Sequence, residues 1–145
     1  GLKWSVSRLF FDDGNERQEI GADAEWRIWH EAGWECLAGA GIHASWGRDM
    51  PDVVYYNPKS DFSPEATVTL RHHLRGNATQ EATVFGGLYA QDGYSDLGFG
   101  GIRYQLEWEI RRQGRLFLAG EWLTHPYDGQ REHSTEGRAG VAWRF

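Results

Sequence analysis

The feature that most constrains this sequence is a two-residue alternation of apolar and polar side chains that returns eight times along the chain. It is cleanest over residues 99–111, where Ile102, Tyr104, Leu106, Trp108 and Ile110 share one face and Arg103, Gln105, Glu107, Glu109 and Arg111 the other. Successive residues of a β-strand point to opposite sides, so each such segment has one apolar and one charged face. The second segment sets Ile20, Ala22, Ala24, Trp26 and Ile28 against Glu19, Asp23, Glu25 and Arg27. The fourth sets Ala66, Val68, Leu70 and Leu74 against Thr67, Thr69, Arg71 and Arg75, with His72 as a polar intruder. In the last, Ala139, Val141, Trp143 and Phe145 oppose Arg138, Gly140, Ala142 and Arg144. The first is interrupted by Arg8, and the seventh is mixed on both faces apart from Glu121. Turn formers then bound strands at residues 2–11, 19–30, 34–46, 65–75, 81–91, 99–111, 115–125 and 136–145.

The connections alternate in length. Glu31-Ala32-Gly33, Gly76-Asn77-Ala78-Thr79 and Arg112-Gln113-Gly114 read as tight turns, whereas residues 12–18, 47–64, 92–98 and 126–135 read as longer loops. Short and long connections therefore fall at opposite ends, as in outer-membrane barrels with short periplasmic turns and longer extracellular loops. No run approaches the ~20 apolar residues of a membrane-spanning helix. A barrel strand needs no such run, because lipid-facing and lumen-facing residues alternate. Alternation alone leaves open a soluble cup with the apolar face inward. Two features favour lipid: aromatic residues near strand ends, Trp34, Trp46, Trp122, Trp143 and Phe145, and charges that cross strand after strand on the other face. The expected fold is all-β, a transmembrane antiparallel up-and-down β-barrel of eight strands, forming one barrel domain or barrel segment over residues 1–145 of a bacterial outer membrane protein.

Little points to catalysis. No nucleophile-elbow or zinc-helix motif occurs, and the six histidines are scattered. His72 and His73, being adjacent on a strand, face opposite ways and cannot chelate one metal. Glu107 and Glu109 share a face but are flanked by Arg103 and Arg111, which suggests a structural ion ladder. The single cysteine, Cys36, reads as a small hydrophobe and forms no intrachain disulfide. The Asn77-Ala78-Thr79 sequon is disregarded in a bacterial chain. A net charge of −6 without any basic run argues against a nucleic-acid partner. Gly1-Leu2-Lys3-Trp4 begins an alternating strand directly, so no leader is expected in this chain. Neither enzyme activity, cofactor nor metal is expected.

Residues 48–62 read Arg-Asp-Met-Pro-Asp-Val-Val-Tyr-Tyr-Asn-Pro-Lys-Ser-Asp-Phe. With the closing strand Val141-Ala142-Trp143-Arg144-Phe145, this segment resembles the C-terminal half of the barrel of the PgaA-type poly-β-1,6-N-acetylglucosamine export porins, the Tyr55-Tyr56-Asn57-Pro58 element most specifically. The resemblance implies a sixteen-stranded barrel through which a partly de-N-acetylated, hence cationic, exopolysaccharide of the biofilm matrix leaves the cell. This chain departs from that pattern in offering about half the strands and no helical repeats of a periplasmic domain. It is then expected to be a fragment of a larger barrel, able to close alone or to pair with a copy that completes the barrel.

The lumen-facing candidates for the substrate path are Asp23, Glu25, Glu35, Arg71, Arg103, Glu107, Glu109 and Glu121. The expected mouth loops hold ten acids, Asp12, Asp13, Glu16, Asp49, Asp52, Asp61, Asp92, Asp96, Asp128 and Glu132, against Arg17, Arg48, Lys59 and Arg131. The strand faces read as nearly balanced, so acidity is expected to concentrate at the mouth and draw a cationic polymer outward. Asp49, Asp52, Tyr55, Tyr56 and Asp61 are the mouth candidates, the tyrosines as platforms for sugar faces. The expected partners are the lipid bilayer, the cationic polysaccharide, and the barrel-assembly machinery, reached through the strand ending in Phe145. The competing readings are a small structural or adhesive barrel without transport, and a barrel enzyme acting on lipid.

Overall fold

In a computed structural model of the chain, which describes residues 1–10, 16–47, 59–75, 77–94, 96–110, 114–127 and 130–143, eight strands form one antiparallel meander. They are β1 (Leu2–Phe10), β2 (Glu16–Glu31), β3 (Trp34–Gly47), β4 (Ser60–Leu74), β5 (Ala78–Gln91), β6 (Leu97–Ile110), β7 (Gly114–Tyr127) and β8 (Gln130–Trp143). Each strand pairs only with its sequence neighbours, and β1 and β8 share no pairing among the described residues. The chain thus builds an open barrel wall with two edge strands. Unpaired edges expose backbone donors and acceptors that lipid cannot satisfy.

Register fixes which side chains share a face, since directly paired residues point the same way. One face carries Trp4, Val6, Ile20, Ile42, Val68, Val84, Ile102, Leu118 and Val141, all prominently exposed. The other carries Leu37, Ser45, Thr69 and Thr83, the buried non-glycine residues among those described. Val84 is 57% exposed while its chain neighbour Thr83 is 8% exposed. The sheet is therefore curled around its polar face, and the soluble cup with an apolar interior is overturned. Water would not tolerate so continuous an apolar exterior on a folded monomer; hydrocarbon requires it.

Several boundaries differ from the sequence reading. β2, β4 and β8 start at Glu16, Ser60 and Gln130, earlier than the alternation suggested, because polar residues near the mouth hid the pairing. Tyr127 pairs with Gln130, so the long loop expected at 126–135 is a two-residue connection. A bulge between Arg27 and Trp29 also breaks the strict alternation of β2. Past it, Trp29 stands opposite Cys36 on the apolar face and His30 opposite Glu35 on the polar one. One inserted residue has turned a tryptophan from lumen to lipid. At the turn between β2 and β3, Ala32 (φ 47) and Gly33 (φ 86) take the left-handed conformations that a two-residue hairpin needs.

Candidate functional site

Outer-face charge is confined to strand ends. Among the described strand residues only Arg8, Glu16, Glu31 and Arg131 are charged there, and Arg8 is held by Glu16 at 2.6 Å. Aromatic side chains mark the two rims. Trp29, Trp34, Trp108 and Trp143 stand toward the tight-turn end, and Phe10, Trp46 and Phe62 toward the mouth. Trp122, expected among these girdle residues, sits between the rims and stacks on His133 at 6.1 Å between centroids. On β3, Trp34 and Trp46 lie twelve residues apart, roughly 40 Å along a strand. A tilt of about 45° reduces this to roughly 28 Å, which matches the ~25 Å apolar band of a membrane barrel. The polar intruder His72 does lie on this face, where it stacks on Trp34 at 3.8 Å and meets Gln80 at 3.2 Å. Phe145, expected to complete the girdle, lies outside the described residues.

The polar face is the candidate functional surface. All eight lumen candidates stand on it, spread over five strands. Glu35 is shared by Arg27 (3.1 Å) and Arg71 (3.3 Å), and Arg71 also reaches Glu81 at 2.7 Å. Arg103 donates from Nε to Glu121 at 2.5 Å, and Arg115 holds Glu107 at 3.3 Å. Asp23 is paired with His43 at 3.2 Å. The ion ladder expected around Glu107 thus exists, but its partner comes across from β7 rather than from β6. Arg111 lies outside the described residues.

Charge on the wall is not balanced, contrary to the sequence reading. The polar face carries twelve acids, Glu19, Asp23, Glu25, Glu35, Asp61, Glu65, Glu81, Glu107, Glu109, Glu121, Glu132 and Glu136. Against them stand seven bases, Lys3, Arg17, Arg27, Arg71, Arg103, Arg115 and Arg138. The acidity runs down the wall instead of gathering only at the mouth. Two of the acids expected in the mouth loops, Asp61 and Glu132, are strand residues. Asp61 is moreover not free, since Arg17 donates to it and the Ser45 hydroxyl donates to it at 2.7 Å. Glu16 and Arg17 are likewise on β2 and Arg131 on β8, whereas Asp92 and Asp96 are exposed between β5 and β6. Asp12, Asp13, Arg48, Asp49, Asp52, Tyr55, Tyr56 and Asp128 lie outside the described residues.

Two kinds of lumen residue escaped the sequence reading. Glu65, beside Pro64, stood at the edge of an expected loop, yet it points into the lumen within electrostatic reach of Asp23, His43, Arg103 and Glu121. The others are rings. Phe85, Phe99 and Phe117 face the polar side, each paired across the sheet with a glycine, Gly101, Gly87 and Gly140. A β-carbon added to those glycines would meet Phe85 Cζ at 2.8 Å, Phe99 Cε1 and Cζ at 2.7 Å, and Phe117 Cε1 and Cζ at 2.5 Å. Each ring therefore lies over its glycine and fills the space of the missing side chain. The signal was present in the sequence as phenylalanine and glycine breaking the alternation of β5 to β8, and it looked like noise.

The model of the PgaA membrane beta barrel domain family matches residues 2–145, and the chain belongs to that family of bacterial outer-membrane barrels. A solved structure described as a bacterial polysaccharide outer membrane secretin has the same fold, with a TM-score of 0.88 at 23% sequence identity. The likeness covers 99% of this chain and 51% of that one, so the chain spans about half the length of the solved chain. No curated protein sequence matches it.

Proposed function

We propose that this member of the PgaA barrel family forms half of the wall of an outer-membrane channel that exports a partly de-N-acetylated poly-N-acetylglucosamine. The observation that carries this reading is the net negative wall: twelve acids against seven bases on a face turned away from lipid. Free amines on the polymer make it cationic, and a negative lumen raises its local concentration without binding it irreversibly. Width decides between transport and a closed structural barrel. Eight strands closed on themselves leave an interior filled by side chains, whereas sixteen leave an aqueous channel. Continuation of the wall from β1 and β8 by further strands, in a longer chain or a second copy, supplies that width. The strand ending in Phe145 would present the barrel to the assembly machinery.

The test uses the full-length protein in a planar bilayer. De-N-acetylated β-1,6-glucosamine oligomers should block its open conductance more strongly than fully acetylated ones, and the difference should shrink as salt rises. A channel with no conductance at any salt, or one blocked by neither oligomer, would contradict the reading. Non-conductance would favour a structural wall.

A further inference from the structure

We propose that Glu65 and the ring of Phe99 form a lumen subsite for one glucosaminium unit, a step that rests on the export reading and adds where along the wall the amine is recognised. Glu65 on β4, Gly87 on β5 and Phe99 on β6 are register partners in one row across the sheet. Because the Phe99 ring lies over Gly87, it sits beside Glu65, about one strand spacing of ~4.8 Å away. On the other flank of Glu65 the wall falls back into a recess of about 150 Å³, lined by Lys3, Asp23, Gly39, Gly41 and Thr67. Carboxylate, flat apolar ring and open space thus meet at one height of the wall.

Pairing sets this carboxylate apart. Glu35, Glu81, Glu107, Glu121 and Glu136 each hold an arginine within 3.3 Å. Among the described residues Glu65 has no hydrogen-bond or ion-pair partner. The three ring-on-glycine pairs differ in the same way. Phe85 is capped by the Arg103 guanidinium, 5.3 Å from its centroid, and Phe117 stands opposite Glu107, which Arg115 holds. Of the three, only Phe99 has beside it an acid without an ion-pair partner among the described residues. A hexosamine has two matching features: a face of C–H groups that lies on an aromatic ring, and an ammonium that donates charge-assisted hydrogen bonds to a carboxylate. An N-acetylated unit keeps the first and loses the second. The subsite therefore grips de-acetylated units more tightly and lets acetylated ones pass.

The experiment compares block of the full-length channel by de-N-acetylated and fully acetylated β-1,6-glucosamine oligomers in wild type, Glu65→Gln and Phe99→Leu. Glu65→Gln preserves size, and leucine, though smaller than the ring, keeps an apolar side chain beside Gly87. Glu65→Gln should weaken block by the de-acetylated oligomer about tenfold and leave the acetylated one unchanged. Phe99→Leu should weaken both several-fold. Wild-type block that survives undiminished in both variants would overturn the subsite while leaving export intact. A wild-type channel that neither oligomer blocks would overturn the export reading itself.

Discussion

On the outer face Val84 stands 57% exposed with nothing polar to satisfy, whereas Thr83, next in the chain, is 8% exposed and shares a 2.9 Å hydrogen bond with Thr69. The same contrast repeats along the sheet. Between the rims the outer side has no Lys, Arg, Asp or Glu among the described residues, while most charges on the inner side are paired across strands. The difference teaches that the medium, not the strand, sets the rule for each face. Lipid admits no unpaired polar group, and a wet lumen accepts charge if neighbours compensate it.

Placing the same charge on either face should separate the two rules most strongly. Ile102→Arg, at mid-strand on the outer face, should cost about 2–4 kcal/mol of stability in lipid, whereas Gln105→Arg, three residues on and facing the lumen, should change it by less than about 0.5 kcal/mol. Equal losses in urea unfolding from bilayers would erase the distinction. A smaller effect sharpens the account of the inner face. Arg71→Met removes the cation that Glu35 and Glu81 share, so about 1–2 kcal/mol should be lost and the channel should become more cation-selective. Unchanged reversal potential in asymmetric KCl would show that this ladder does not face the conducting path.

The fold was largely legible because alternation is a direct consequence of a two-sided wall. Strands such as β6, with Ile102 to Ile110 against Arg103 to Glu109, carry that signature undiluted. What stayed hidden lay where side chains obey a second requirement. At β2 the bulge after Arg27 depends on how the backbone accommodates an extra residue, which hydropathy does not encode. At β8 the run Gln130 to Gly137 is polar on both sides because half of it stands at the mouth, so a paired strand looked like a loop. Phe85, Phe99 and Phe117 are apolar residues on the wet face, and only the cross-strand register, which sets each against a glycine, explains them. Glu65 was missed for a related reason: Pro64 marks a break in sequence, whereas in the sheet Pro64 sits in register with Ile42 on the outer face.

The claim on which everything rests is that the polar face lines water and the apolar face meets lipid. Cysteine labelling of the full-length protein in outer membranes, with a charged, water-soluble thiol reagent, tests it directly. Cys36, on the apolar face, should remain unlabelled, as should Ala66→Cys in a Cys36→Ser background, while the adjacent Glu65→Cys should be labelled readily. Labelling of Ala66→Cys with protection of Glu65→Cys would contradict the account.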